Sequence, residues 1–345
     1  MRIVQIDIRF IAAKAGVSPA TVSRVLNNTK PVSTMLQKRV MEQVDRYGYR
    51  PNLIARGLII NKSDLIGVVT PSVSGPFHAK LISGIESIAD QNGYNVIVSN
   101  VSTEFEKEKA CFEVLRERRV DGILLLHEGT AEQMEILQQI AKLPIVLGSA
   151  NVEGCGLCSA GIDDERAAYD ITAYLTRMGH RKIGGIFNNC YSLGVLRKAG
   201  FCNALRDSNL HPVDQWMRSG ECTISEGESL AGEIFSGRET PTALFCVSDE
   251  LAVGAVSFLM EHGYRVPRDV SVVGFDDIEL ANVFRPKLTT VHQPIEEIGR
   301  AAAEILIRLI ETKEKPESVI LPYRVVIRAS SGPAYEGSAS LQWSG

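Results

Sequence analysis

Residues 15–27 read AGVSPATVSRVLN, and this stretch decides how the N-terminal part of the chain folds. Gly16-Val17 predicts a tight turn, because glycine accepts the left-handed backbone that such turns need. Ser18 followed by Pro19 is typical of the N-cap and first position of a helix, which we expect to run to about Leu26. Two short helices joined by a glycine turn, the second with small, polar and basic residues outside, form the helix-turn-helix pattern.

Two further helices complete this unit. Asp7 predicts the N-cap of a first helix over residues 9–15. A third helix is expected from a cap at Ser33 to a stop at Gly48. Apolar residues at helical spacing predict one small shared core, made of Ile8, Ile11, Ala12, Ala15, Val22, Val25, Leu26, Val40 and Val44.

Charge is unevenly distributed along the 345 residues. Residues 1–62 hold eleven Lys or Arg and three Asp or Glu, a net charge of +8, whereas the rest holds 26 basic and 38 acidic residues, a net charge of −12. A basic head on an acidic body predicts a polyanionic partner for the head. Spacing alone leaves open a helical bundle with no nucleic-acid role, and charge alone leaves open a solvated surface. Together they favour DNA.

Downstream of the head, apolar runs alternate with helical patterns. Continuous apolar runs predict strands covered on both faces, hence doubly wound parallel sheets and an α/β fold. The strands are too many for one sheet of ordinary size, so we expect two lobes. The predicted strands are Leu65–Val69, Tyr94–Val98, Val120–Leu126, Leu143–Leu147, Lys182–Phe187, Ala243–Val247 and Val270–Phe275.

The head motif resembles the recognition motif of the lactose/galactose-repressor family, and YRPNLIARGL at 49–58 resembles that family's hinge helix. The resemblance implies base-edge contacts in the major groove from Pro19, Ala20 and Arg24. It implies phosphate contacts from Ser18, Thr21, Ser23 and Asn27. Further DNA contacts are implied for the hinge-helix residues Asn52, Ala55, Arg56 and Leu58.

Leu58 is implied to act as a wedge, one from each subunit of a dimer, in the minor groove at the operator centre. The alternative for Leu58 is a linker residue that packs on the body. The chain departs from the family pattern at Phe10, where an acid is usual, and at Leu36, where Thr is common. Gly57 costs the hinge helix about 1 kcal/mol and predicts a hinge that is ordered only on DNA.

The body resembles the same family's sensor, which is similar to a two-lobed periplasmic sugar-binding protein. The stretches that carry this resemblance are MGHRKI (178–183), RKAGF (197–201), PTALFCVSD (241–249), VVGFDD (272–277) and LTTV (288–291). The resemblance spans about residues 8–330 and implies three crossings between lobes, near 163, 292 and 323. The expected division is a head at 1–50, a hinge at 51–62, a body at 63–331 and a tail at 332–345, with lobe 1 at about 63–163 and 293–322 and lobe 2 at about 164–292 and 323–331.

Effector contacts are expected where parallel strands end. Ligands in open α/β sheets bind at the carboxyl ends of strands, which nominates Thr70, Ser72, Ser248 and Asp276. The resemblance adds Arg197, and Phe77 offers an apolar face to a sugar ring.

Each of these assignments has an alternative. Asp276, beside Asp277, is also placed to cap a helix, and Arg197 to form a surface ion pair. Ser248 replaces a usual Asn, Gly148 an Asp of some relatives, and Cys222 an aromatic ring of several. The identity of the effector therefore stays open.

Other chemistries have little support in the sequence. Seven scattered cysteines favour reduced thiols in the cytoplasm, and the CxxC of Cys155 and Cys158 has no second half for a zinc site. No metal, cofactor, catalytic residue or membrane span is expected. A stand-alone sugar-binding protein does not explain the basic head, and an α/β enzyme needs a catalytic motif that does not stand out.

The expected function is a transcription regulator, a repressor, whose affinity for a pseudopalindromic operator is controlled by a sugar or related metabolite bound between the two lobes. A homodimer is expected, not a tetramer. The tail at 331–345 has one leucine, Leu341, and cannot supply an apolar heptad seam.

Overall fold

The computed structural model describes residues 6–27, 30–49, 62–101, 104–126, 129–149, 154–188 and 193–335. Two compact units divide between Ser63 and Asp64. The hinge-helix predictions, which include Asn52, Ala55, Arg56, Gly57 and Leu58, lie outside the described residues. Within the described part of the chain, no helix is long and apolar enough to cross a membrane.

The head contains three helices, α1 (Ile8–Ala15), α2 (Pro19–Asn27) and α3 (Thr34–Tyr47). The Asp7 side chain accepts a hydrogen bond from the backbone N–H of Phe10 at 2.8 Å. Ser18 Oγ likewise accepts from the N–H of Thr21 at 3.1 Å. Helix α3 ends at Gly48, which has a left-handed φ of 58°. Ser33 stands at the N-cap of α3 but makes no side-chain capping bond.

The predicted core of the head is confirmed. Its fully enclosed members are Ile11, Ala12, Ala15, Val22, Val25, Val40 and Val44, with Ile8 and Leu26 packed against them. Phe10, a departure from the family pattern, packs edge-on against Tyr47 with ring centroids 5.1 Å apart. Phe10 therefore adds apolar area to the bundle, which accounts for a hydrophobic residue at that position.

The body contains two parallel sheets. The first has the order β11-β5-β4-β3-β1-β2 and the second the order β7-β6-β8-β9, while β10 and β12 form an antiparallel ribbon. The strands are β1 (Leu65–Thr70), β2 (Asn95–Asn100), β3 (Gly122–Leu125), β4 (Ile145–Gly148), β5 (Cys158–Gly161), β6 (Ile183–Asn188), β7 (Met217–Gly220), β8 (Ala243–Cys246), β9 (Ser271–Val273), β10 (Thr290–His292), β11 (Val319–Ile320) and β12 (Arg324–Val326).

Nine described helices accompany these sheets. They are α4 (Pro76–Gln91), α5 (Phe105–Glu117), α6 (Ala131–Ala141), α7 (Asp164–Arg177), α8 (Leu193–Asp207), α9 (Ile224–Phe235), α10 (Asp249–Glu261), α11 (Glu279–Val283) and α12 (Ile295–Thr312). The chain leaves the first sheet after β5 and builds the second sheet. It returns through α12, which packs on α4 and on β3, β4 and β5. Strand β11 then joins the first sheet and β12 pairs with β10.

The seven predicted strands are all present, with shifted ends. One detail is wrong: β2, expected to be covered on both faces, lies at the edge of the first sheet, and Val98 is 37% exposed. Strands β5, β7, β10, β11 and β12 escaped prediction because they are two to four residues long and carry no continuous apolar run.

Three helix pairs of the body cross on glycines. A Cβ at Gly84 of α4 would overlap the carbonyl oxygen of Glu296 in α12, and one at Gly299 would overlap that of Leu81. The same holds for Gly200 between α7 and α8, and for Gly227 and Gly254 between α9 and α10. Side chains cannot separate the backbones at these crossings, so each pair packs as closely as glycine allows.

We predict that Gly84→Ala lowers the free energy of unfolding by about 1–3 kcal/mol or more, because the added methyl must displace helix backbone. The matched control is Gly237→Ala, where a Cβ meets only the Glu239 carbonyl oxygen, at 3.5 Å. Urea unfolding of both variants checks this. Equal midpoints for Gly84→Ala and the control would show that α4 and α12 have room to separate.

Candidate functional site

Helix α2 presents a polar face in the head. Val22 and Val25 are buried, whereas Ser18, Pro19, Ala20 and Arg24 are exposed, with Thr21 and Ser23 half-buried. Ser18 Oγ lies 2.9 Å from Thr21 Oγ1, so the two hydroxyls share one hydrogen bond at the start of the helix. The Asn27 side chain lies outside the described residues. Five of the seven predicted contact residues on α2 therefore fall in its first six positions or at its cap, and the Arg24 guanidinium is exposed beside them.

One basic residue of the head has a structural role that spacing did not reveal. The Arg39 guanidinium on α3 donates to the carbonyl oxygen of Ala15 at the end of α1. This bond satisfies a terminal helix carbonyl at the turn. It also fixes the angle between α1 and α2, because Gly16 follows directly in a left-handed conformation.

In the body, Arg197 and Asp276 lie together at the carboxyl end of the second sheet. Arg197, on α8, donates through Nε to Asp164 Oδ1 at 2.8 Å and through Nη1 to the Val247 carbonyl oxygen at 2.6 Å. The same Nη1 lies 3.5 Å from Asp276 Oδ1. The guanidinium also stacks on the Phe275 ring, 3.7 Å from its centroid. Because Arg197 is buried in this pair of carboxylates, it is not a surface ion pair.

Asp276 follows β9 and is held from several sides. Its Oδ1 accepts a hydrogen bond from Gln293 Nε2 at 2.7 Å, and its backbone N–H donates to the Val291 carbonyl oxygen. The residue has a φ of 110°, outside the regions that most side chains occupy. The next helix, α11, has its N-cap at Ile278, so Asp276 does not cap it. Its carboxylate therefore has no capping role to explain its burial.

The neighbouring carboxylate, Asp277, is used differently. It lies 3.0 Å from His292 Nδ1 and 2.6 Å from Arg328 Nη2. This places Asp277 between β10 and the strand β12 side of the ribbon, away from Arg197. The two adjacent aspartates thus bind two different elements.

Burial shifts the protonation of this carboxyl cluster. Desolvation raises the pKa of Asp276 to about 7, although Arg197 opposes the shift. Desolvation also raises the pKa of Asp164, again against the attraction of Arg197. The pKa of Asp249 is raised further, because it is fully buried and near Asp276. Its oxygens accept from the Thr290 hydroxyl at 2.6 Å and from the N–H of Ile278 at 2.9 Å.

The sequence did not single out Asp164 or Gln293. Asp164 stands next to a predicted lobe crossing near 163, and Gln293 stands next to the crossing near 292. Acidic or amide side chains at those crossings were the one available signal, because their partners are distant in the chain. Asp164 and Arg197 are separated by 33 positions.

The other predicted effector residues make local bonds. Ser248 is the N-cap of α10 and its Oγ accepts from the N–H of Leu251 at 3.3 Å. Ser72 Oγ accepts from the N–H of Gly75 at 3.0 Å, in the turn after β1, and Thr70 Oγ1 donates to the Ser72 carbonyl oxygen. Phe77, on α4, is half-buried against the body core. Ser72 and Phe77 thus lie at the end of the first sheet, and Ser248 at the end of the second.

The cysteines show no bridge in the described part of the chain. Cys111, Cys155, Cys158, Cys202, Cys222 and Cys246 are free thiols, and Cys190 lies outside it. Across the same ranges, no three His, Cys, Asp or Glu side chains come together in a metal-binding arrangement.

A helix-turn-helix head joined to a two-sheet α/β body with a buried polar cluster defines a DNA-binding transcription regulator with an effector-binding domain. Residues 7–52 match the model of bacterial regulatory proteins of the lacI family, and residues 172–331 match the periplasmic binding protein-like domain. The chain belongs to the lacI family.

Three known proteins illustrate the similarity. The transcriptional repressor PurR of Vibrio vulnificus is 34% identical over 314 residues, which cover 90% of this chain and 94% of PurR. A lac repressor dimer bound to operator and the anti-inducer ONPF shares 27% identity at a TM-score of 0.87, over 95% of this chain and 99% of that one. The regulator CelR in complex with cellobiose shares 27% identity at a TM-score of 0.73, over 95% and 100%.

The raised pKa of Asp276 predicts a pH-dependent stability. A carboxyl whose pKa rises on folding stabilises the folded state while it is protonated, and this contribution is lost as pH rises through about 7. We expect Asp276→Asn to show a smaller loss of melting temperature between about pH 5.5 and about pH 8 than the wild type.

The control for this comparison is Asp214→Asn, an exposed substitution of the same kind. Its pH dependence should match the wild type. If Asp276→Asn keeps the full wild-type difference, Asp276 is ionised throughout this range.

Proposed function

We propose that the chain binds a pseudopalindromic operator as a homodimer and that a small polyhydroxylated effector, bound between the two lobes, controls this binding. The observation that carries the effector half is the buried contact of Arg197 with both Asp164 and Asp276. Buried charges cost free energy unless they are paired or used, and the carboxyl end of a sheet is where α/β folds bind ligands.

The DNA half rests on α2 and on the charge of the head. Pro19, Ala20 and Arg24 are proposed to face base edges, and Ser18, Thr21, Ser23 and Asn27 to contact phosphates. The exposed polar face of α2 and the local charge of +8 support this assignment. The roles of Asn52, Ala55, Arg56 and Leu58 rest on the family resemblance.

A second copy of the chain is proposed to pack against the first lobe. Strand β2 is the edge of its sheet, and a groove of about 450 Å³ lies between the end of β2 and the face of α5. Val98 and Val114 beside it are 37% and 47% exposed. Apolar side chains at an open sheet edge favour pairing with another chain. The choice of dimer over tetramer rests on the tail, whose residues 336–345 lie outside the described residues.

The effector is proposed to contact both lobes. Arg197, Asp276 and Ser248 belong to the second sheet, and Ser72 and Phe77 lie where the first sheet ends. A hydroxyl both donates and accepts, so a sugar-like ligand matches a carboxylate beside a guanidinium. Cellobiose in CelR is a ligand of this class. Binding would change the angle between lobes and the spacing of the two hinges, and operator and effector affinities are then reciprocally coupled. The cytoplasmic location stays a prediction from the sequence.

We expect Arg24→Ala to reduce the discrimination between operator and random DNA by about one to two decades, because a bidentate contact to guanine is worth about 1–3 kcal/mol. Fluorescence anisotropy at fixed salt measures both affinities. Effector affinity should not change. The matched control is Arg308→Ala, an exposed arginine on α12. Unchanged discrimination in Arg24→Ala would remove this residue from the base-reading set.

We expect Asp276→Ala and Arg197→Ala each to weaken effector binding by about one to two decades, because losing one partner of a charged hydrogen bond costs about 1.5–3 kcal/mol. Operator affinity without effector should stay near wild type, since neither residue lies in the head. Calorimetry with a ligand found by thermal-shift screening measures the loss.

Melting curves identify variants of this pair that fail to fold, and Arg197→Lys then replaces Arg197→Ala. Wild-type effector affinity in folded variants at both positions would move the effector site to Ser72, Phe77 and Ser248.

A further inference from the structure

We propose that the effector site selects a neutral or cationic ligand with several hydrogen-bond donors and discriminates against ligands that carry a carboxylate or phosphate group. This inference rests on the proposed effector site and adds the charge class of its ligand. It follows from how the hydrogen-bonding groups around Arg197 are already used.

The donors of the site are committed to the protein. Arg197 donates through Nε to Asp164 and through Nη1 to the carbonyl oxygen of Val247, and the same Nη1 faces Asp276. Gln293 donates through Nε2 to Asp276. A guanidinium that holds two carboxylates has its charge compensated. An anionic ligand would therefore have to compete with Asp164 and Asp276 for it.

Acceptors, by contrast, are left over. Gln293 is 2% exposed and its Oε1 has no hydrogen-bond partner in the described structure. The bond from its Nε2 to Asp276 fixes the orientation of the amide, so this oxygen cannot be exchanged for a donor. A buried acceptor without a donor is costly, and a ligand N–H or O–H would relieve that cost.

A second leftover acceptor lies nearby in the chain path. Asn188 ends β6, and its buried Oδ1 has no partner among the residues described. It lies directly over Gly194, where a Cβ would overlap it, one helical turn before Arg197 on α8. Both unpaired oxygens thus belong to segments that meet Arg197 or Asp276 at the carboxyl end of the second sheet.

The charge of the cluster has the same sign. Asp164, Asp249 and Asp276 are buried, with Arg197 as the cation that contacts two of them. Glu250 adds a further negative charge that Asp276 senses, and burial raises the pKa of all four carboxyls. A carboxylate or phosphate brought here meets like charges at low dielectric, whereas an ammonium group gains attraction from them.

The test is a panel of matched ligands on the full chain. Each set keeps one skeleton and changes one group: glucose, glucosamine, glucuronate and glucose 6-phosphate; galactose, galactosamine and galacturonate; adenosine and its 5′-monophosphate. Thermal shift finds the sets that bind, and calorimetry measures affinity. We expect the neutral or amine member to bind at least about tenfold more tightly than its acidic counterpart, a factor that corresponds to about 1.4 kcal/mol.

Substitution of Asp164 tests the cause. Asp164→Asn keeps an oxygen for Arg197 and removes one negative charge, so the penalty against the acidic member should shrink by about a decade if like-charge repulsion causes it. Asp214→Asn, on the surface, should leave the penalty unchanged. A gap that is the same in Asp164→Asn and wild type would overturn this explanation.

Two results separate this inference from the proposed function. An acidic member that binds as tightly as its neutral counterpart, and whose binding is lost in Asp276→Ala, overturns the charge selectivity and leaves the effector site in place. Binding of any member that is unaffected by both Asp276→Ala and Arg197→Ala shows that the ligand lies elsewhere, and the proposed effector site fails.

Discussion

The structure of the effector-binding body depends on one buried guanidinium. Arg197 joins Asp164 at the start of α7, the Val247 carbonyl oxygen after β8 and Asp276 after β9. These segments are distant in sequence, and the contact to a single cation brings them together. Breaking such a group by removing one partner leaves a buried charge uncompensated, which costs several kcal/mol. The polar cluster is therefore both a requirement of the fold and the feature that gives the site its chemistry.

The same cluster touches the segments through which the chain passes between its sheets. Asp164 directly follows the segment between β5 and α7, and Gln293, bound to Asp276, directly precedes α12. Helix α12 packs on the first sheet and on α4 with glycine at the crossing. A ligand that reorients Asp276 or Gln293 thus acts on a residue joined to both sheets. Tight helix packing transmits such a shift because close-packed interiors deform little.

Local patterns in the sequence were enough for the head. Caps, a left-handed glycine and helical spacing are all effects within four residues, and Asp7, Ser18 and Gly48 stand where these rules place them. Long apolar runs likewise located seven strands. Short strands such as β7, with the sequence MRSG, carry no such run, because their pairing with β6 comes from the sheet and not from their own side chains. The partners of Arg197 were equally invisible, since a contact over 33 or 79 positions leaves no local trace. Ser248 shows the opposite error: it follows a strand as the rule requires, but its hydroxyl caps α10.

The central claim is that the Arg197 cluster holds the effector. A crystal structure of the chain with a ligand from the screen tests it most directly. The account predicts ligand density with a donor group within hydrogen-bond distance of the Asp276 carboxylate and of Gln293 Oε1, while Arg197 keeps its bond to Asp164. Density for a tightly bound ligand away from Asp276, Arg197 and Gln293 would contradict it.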